Sequence, residues 1–198
     1  MARVTMTMSQ VSSALNQTKP VYESTCKSLQ NAYKKMSNLH TYWGGNLYNI
    51  IQKNWNGQVE ELTNFMKLTA AAYKATSSAL LAYSRAENNE INRGEVSILT
   101  LGTIASSNQD KLTATPETIR ADKLDMVSNL NAAKNGIETV FKHLTTIDAS
   151  SPNIDELKSR MTAAKNNIIN NLESIKKDIE TNMETAASNY EAAENSIQ

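Results

Sequence analysis

The sequence predicts an all-α protein: two helix-turn-helix hairpins in tandem, packed as an antiparallel four-helix bundle, an intramolecular pseudo-dimer. Three observations carry this. Only 6 Gly and 3 Pro occur in 198 residues, too few breakers for a loop-rich or all-β chain. Two long stretches repeat an apolar residue every three or four positions, the period of one helix face, and a weaker stripe precedes each of them. The strongest breakers fall between those stretches.

The first stripe runs through Val11, Leu15, Thr18, Tyr22, Cys26, Leu29, Tyr33, Met36 and Leu39. Pro20 lies inside it and removes a backbone donor. The spacing therefore predicts either a kink there or a regular helix that begins near Thr18. Gly44-Gly45 ends the stripe, because glycine reaches the positive φ of a sharp turn. The second stripe contains Ile51, Trp55, Val59, Leu62, Met66, Thr69, Tyr73, Thr76, Leu80 and Tyr83. Weak periodicity marks the connector that follows, where Val96, Ile98, Leu99 and Leu101 predict partial packing on the helices.

The third stripe contains Ile119, Leu124, Val127, Leu130, Ile137, Phe141, Leu144 and Ile147. It stops at Ser150-Ser151-Pro152-Asn153, a helix exit followed by a new start. Asp148 and Ser151 are both candidate caps there. The last stripe steps through Ile154, Leu157, Met161, Ala164, Ile168, Leu172, Ile175, Ile179, Met183, Ala186, Tyr190, Ala193 and Ile197. A helix of that length, roughly 60 Å, is held by packing its stripe on other helices. The boundaries that follow are residues 1–91 for the first hairpin, 92–112 for the connector and 113–198 for the second hairpin.

The connector's length bears on how the hairpins pair. The 33 residues from Ile51 to Tyr83 make a helix roughly 50 Å long, and about 20 connector residues reach roughly 65 Å. Hairpins packed head to tail need a span of that order, whereas parallel hairpins need only a few residues. The turns near Gly44 and Pro152 are therefore expected at opposite ends of the bundle.

Composition excludes several function classes. Lys plus Arg equals Asp plus Glu at 20 each, so there is no global field to attract nucleic acid or an anionic membrane. A single Cys, Cys26, makes no intrachain disulfide. Met1 to Gln10 lacks a basic region followed by an apolar run, so no secretory signal peptide is expected. No stretch approaches the roughly 18 apolar residues of a membrane span, so stable membrane insertion is not expected. The two histidines, His40 and His143, stand apart from other ligand types, and no metal site follows from them. Glu60-Glu61 reads as solvated helix charge. With no phosphate loop, nucleophile elbow or triad, the expectation is no catalytic residue, no cofactor and no enzyme.

The two halves share a tail. Tyr83-Ser84-Arg85-Ala86-Glu87 and Tyr190-Glu191-Ala192-Ala193-Glu194 each carry a tyrosine and a glutamate four apart, followed by Asn, at an offset of 107 residues. The same offset carries Trp43 onto Ser150, inside the second turn. Turns and tails aligning together without gaps point to an internal duplication.

The run Tyr42-Trp43-Gly44-Gly45-Asn46-Leu47-Tyr48, followed by Trp55, Glu61-Leu62 and the tyrosine-glutamate tail, resembles the WXG (ESAT-like) superfamily. These are small helical hairpins exported by type VII secretion. The resemblance implies that Trp43, Gly44 and Gly45 form the hairpin turn, and that Tyr83 with Glu87 and Tyr190 with Glu194 match the family's export signal. Thr115-Pro116-Glu117 before Ile119 looks like a family start in the second half. Two departures stand out. The second half has no Trp-X-Gly, and both hairpins share one chain where the family uses dimers. The first tail is internal, so export is expected to depend more on Tyr190 and Glu194.

The expected function is a small secreted substrate or export partner of a type VII system. It would act by protein–protein interaction with the secretion machinery and its membrane ATPase, with room for a co-exported protein. Its expected place is extracellular by a route independent of a signal peptide, and cytoplasmic before export. The alternative is a cytoplasmic helical adaptor or coiled-coil scaffold without an export role.

Overall fold

The computed structural model describes residues 5–87, 94–107 and 112–197. Among them are four helices: α1 (Met8–Leu39), α2 (Asn46–Ala86), α3 (Pro116–Thr146) and α4 (Pro152–Ile197). Two short strands, β1 (Thr5–Met6) and β2 (Ala149–Ser150), pair antiparallel with Thr5 opposite Ser150 and Met6 opposite Ala149. The 91/92 boundary expected from the sequence lies outside the described residues. The chain divides into two compact units, and every helix contributes to both. The first comprises Met1–Cys26, Leu62–Thr100 and Lys134–Ile168; the second comprises Lys27–Glu61, Leu101–Ala133 and Ile169–Gln198.

In the first unit the core is Val11, Leu15 and Tyr22 of α1, Phe65, Met66, Tyr73 and Leu80 of α2, Ile137, Val140 and Leu144 of α3, and Ile154, Met161 and Ile168 of α4. Thr63 is buried in this unit with no partner for its hydroxyl among the described residues, whereas four other buried threonines satisfy theirs. Thr18, Thr25, Thr69 and Thr76 donate to the carbonyls of Ala14, Val21, Phe65 and Ala72, four residues back, at 2.7–2.9 Å. Helix direction follows from contacts between α1 and α3. Thr7 meets Asp148, Thr18 meets His143 and Thr25 meets Gly136, so numbers rise on α1 as they fall on α3: the pair is antiparallel.

The α3–α4 turn lies in this unit. Ser151 caps α4: its hydroxyl accepts from the Ile154 N–H at 3.3 Å and its carbonyl from Asp155 N–H at 2.8 Å. Asp148, the other candidate cap, instead accepts from the Thr7 hydroxyl at 2.6 Å. Lys158 Nζ donates to the carbonyls of Ile147 and Ala149 at 2.8 and 2.9 Å, closing the turn from below. Burial pushes the pKa of Lys158 down, against the pull of Asp155 and Asp148. Pro20 neither ends α1 nor delays its start to Thr18: the helix begins at Met8 and runs through it. Pro20 and Asn16, whose carbonyl loses its helical donor, both face solvent, where water replaces the lost partner.

In the second unit the core is Leu29, Met36 and Leu39 of α1, Tyr48, Ile51 and Trp55 of α2, Ile119, Met126 and Leu130 of α3, and Leu172, Ile175, Ile179 and Met183 of α4. The same antiparallel logic holds. Asn31 faces Asn129 and Lys35 binds Asp122, while Asn54 donates to Asp178 and Asn171 to Glu61. Hence α1 opposes α3 and α2 opposes α4. One stripe position is corrected here. Leu124 is 64 % exposed, and Met126 is buried in its place. Leu124 sits five residues from Ile119, about 140° round the helix, away from the face that carries Ile119, Met126 and Leu130. Asp122 and Lys123, on the core side, are neutralised by Lys35 and Glu184.

Candidate functional site

The α1–α2 turn belongs to the second unit. Trp43 N–H donates to the Leu39 carbonyl at 2.8 Å and Tyr42 N–H to the same oxygen at 3.1 Å, winding down α1. Gly45 follows with φ 86°, the left-handed conformation that a side chain with a β-carbon resists. Its carbonyl accepts from Asn49 N–H at 3.0 Å and opens α2. Gly44, half-buried, lies between the helices. The Trp43 ring is buried edge-on against Tyr48, centroids 5.9 Å apart at 71°. Thr113 N–H donates to the Tyr42 carbonyl at 2.9 Å, and Trp43 bridges Leu112, so the chain entering α3 lies across the turn. The motif's ring faces inward and offers no surface to a partner.

The two tails differ. Tyr83 is half-buried near the end of α2, and exposed Glu87 stands one residue past it. Glu87 N–H donates to the Tyr83 carbonyl at 3.2 Å, so the helical i, i+4 relation persists. In α4, half-buried Tyr190 and exposed Glu194 lie on one face of continuous helix. From Ala192 to Ile197 every residue is exposed, and Ile197 is 85 % exposed. The apolar stripe therefore stops burying at Ala187: Ala193 and Ile197, expected in it, face solvent. Tyr83 belongs to the first unit and Tyr190 to the second.

Beside buried Met183, Ala186 and Ala187, a charge cluster that sequence periodicity did not single out flanks α4 just before its exposed turns. Arg120 grips both carboxylate oxygens of Glu191 and donates through Nε to Glu184 at 3.0 Å, and Lys123 also binds Glu184. Glu184 is held below the usual carboxylate range by Lys123 and then Arg120, and Glu191 by Arg120. The fork of a guanidinium against a carboxylate fixes orientation as well as charge. It pins the residue next to Tyr190 and leaves Tyr190 and Glu194 at the start of a projecting helical end.

A second missed feature is how the connector is held. In the second unit, Leu101 to Ser107 runs extended along α2, with Leu101 and Ile104 buried. Asn56 pairs with both the N–H and the carbonyl of Ile104 at 2.8 and 2.9 Å, and Gln52 also donates to that carbonyl. Asn49 pairs in the same two-way manner with Ser107 at 3.2 and 2.9 Å. The Trp55 indole N–H donates to the Gly102 carbonyl at 2.9 Å, and Tyr33 stacks on that indole. A β-carbon at Gly102 would lie 2.6 Å from Tyr33 Oη, so glycine permits the approach. The available signal was the run of amides at 49, 52 and 56 beside Trp55. In the first unit, Leu99 is buried while Ile98 is 66 % exposed, so only part of the expected apolar set packs.

His40 is exposed against the Ser37 carbonyl, and His143 lies 3.4 Å from the Thr18 hydroxyl. Burial pushes the Cys26 thiol up, away from the reactive thiolate. Among the described residues no group of three or more His, Cys, Asp or Glu could hold a metal ion, and no helix is long and apolar enough to cross a membrane. No protein-family model, curated protein or solved structure matches the chain.

Proposed function

We propose that this protein is a small secreted helical substrate or export partner of a type VII secretion system, with two fused hairpins in place of the family's usual dimer. It acts by protein–protein contact and catalyses nothing. The observation that carries the reading is the end of α4. Tyr190 and Glu194 stand four apart on one face of a helix whose last turns are exposed. An aromatic ring and a carboxylate so placed suit a partner groove that reads a helix face. The antiparallel relation of α1 to α3 and of α2 to α4 is the one two family hairpins would adopt as a head-to-tail dimer. The membrane ATPase of the machinery is the partner this signal addresses, and the cytoplasm is where the protein waits before export.

Comparing supernatant with cytoplasm tests the reading. Tyr190→Ala or Glu194→Ala should cut secretion while leaving the melting curve nearly unchanged, because Glu194 is exposed and Tyr190 only half-buried. The same changes at Tyr83 and Glu87 should matter less, since that tail is followed by more than half the chain. Secretion that persists with all four replaced removes the signal assignment. A protein that stays in the cytoplasm beside an active type VII system would be the helical adaptor instead.

A further inference from the structure

In the second unit α2 meets the connector with amides that reach its backbone. In the first unit the facing residues of α2 are of another kind: Lys67, Ala70, Ala71, Lys74 and Ser77. The alanines are too short to meet residues 94–98 of the connector, and the lysines carry no acceptor for a backbone N–H. A cavity of about 260 Å³ results, lined by Ala70, Ala71 and Tyr73 of α2 and by Val96 and Ile98 of the connector.

Two features give this space a chemical preference. Its lining is largely hydrocarbon, and Ile98 in that lining stands 66 % exposed. Lys67 and Lys74 are exposed at its rim, and neither makes an ion pair among the described residues. Lysine stems extend an apolar surface while the ammonium stays in water. An occupant that covers these apolar residues therefore meets a cation at its edge. Seven residues separate the lysines, roughly 10.5 Å along the helix, so one carboxylate sits against one ammonium while the other adds to the local positive potential. Glu95 also lines the space and disfavours a second negative charge.

Volume narrows the class further. A cavity of about 150 Å³ accommodates benzene, and sites for drug-sized ligands begin near 300 Å³. The space here lies between the two. We propose that it binds a small monocarboxylate carrying a single aromatic ring, with the ring on Ala70, Ala71 and Tyr73 and the carboxylate at Lys67 or Lys74. The site stands apart from the export reading and shares no residue with it.

The test uses the intact protein and 3-phenylpropionate as probe, followed by amide chemical shifts. Shifts should concentrate at residues 67–77 and 94–98, with a Kd of about a millimolar or below, as its size allows. Lys67→Gln combined with Lys74→Gln should weaken binding about tenfold with the melting temperature unchanged. Ala71→Leu, at an exposed position, should fill the space and abolish binding. Neutral 3-phenylpropanol should bind about tenfold more weakly than the acid. Equal binding of acid and alcohol, binding indifferent to the lysines, or shifts outside these residues would each overturn the proposal, as would no binding at ten millimolar or so.

Discussion

Gly136→Ala, in the interior of α3, sets two effects of opposite sign against each other. On an isolated helix alanine is favoured over glycine by about 1 kcal/mol. A β-carbon at position 136, however, would lie 2.0 Å from Thr25 Oγ1, 3.1 Å from its Cβ and 3.4 Å from its Cγ2. Thr25 is buried, and its hydroxyl is committed to the Val21 carbonyl at 2.7 Å. Rotating its side chain leaves the Cβ contact in place, so relief requires α1 and α3 to part. Overpacking of this kind costs about 1–3 kcal/mol, and disturbing the Thr25 hydrogen bond adds about 0.5–1 kcal/mol. The steric cost exceeds the helix gain, and the net expectation is a loss of about 1–2 kcal/mol. For a chain of this size that lowers the melting temperature by about 2–8 °C. Thermal and urea melts followed by circular dichroism would measure it for Gly136→Ala, Thr25→Ala and the double variant. Removing Oγ1 and Cγ2 should let alanine at 136 fit, giving a coupling of about 1 kcal/mol or more in the cycle. If Gly136→Ala alone stabilises the protein and the two changes simply add, α1 and α3 do not meet at this register, and the antiparallel pairing drawn from it fails.

Trp43→Ala should destabilise by about 3 kcal/mol, as large-to-small changes at buried sites do, and Gly45→Val should lower the melting temperature because φ at 45 is 86°; wild-type melting in both would show the turn reading to be wrong. Asn56→Ala removes both hydrogen bonds to Ile104 and should cost about 1–3 kcal/mol, with amide exchange at residues 101–107 rising ahead of the rest; unchanged exchange there would mean the connector is held by its apolar residues alone. The docking of α4 through Glu184 and Glu191 should depend on pH with a definite sign. Both folded pKa values are depressed, so their contribution is complete above the ordinary glutamate value of about 4.3 and is lost as pH falls through the folded values. Lower amide protection over residues 184–191 in acid, measured against the intrinsic exchange rate at each pH and reproduced at neutral pH by Arg120→Gln, is the expected result, and protection factors that do not change with acid would contradict it.

Helix number, turn positions and most core residues could be read from the chain because they rest on local information. A residue at three or four positions from the next marks one helix face whatever packs on it, and Gly44-Gly45 and Ser151-Pro152 punctuate those runs by backbone chemistry alone. The antiparallel pairing was also accessible, through the reach of the connector against the length of the helices. The Trp43 turn and the spacing of Tyr190 to Glu194 are likewise statements about neighbours in sequence.

What needed the tertiary structure has a different origin: each case depends on a partner distant in the chain. Leu124 and Met126 both suit a loose apolar pattern, and the position of α3 against its neighbours buries the second and exposes the first. Ala193 and Ile197 keep the helical period of α4, but the buried part of that stripe ends at Ala187, so they face water. Asn49, Gln52 and Asn56 carry no apolar signal, and their backbone partners lie about fifty residues onward. Arg120 and Lys123 read as surface charge until α4 brings Glu184 and Glu191 to them. Periodicity records which face of a helix is apolar. Where that face ends, and which polar groups find partners beyond it, is decided only when the helices meet.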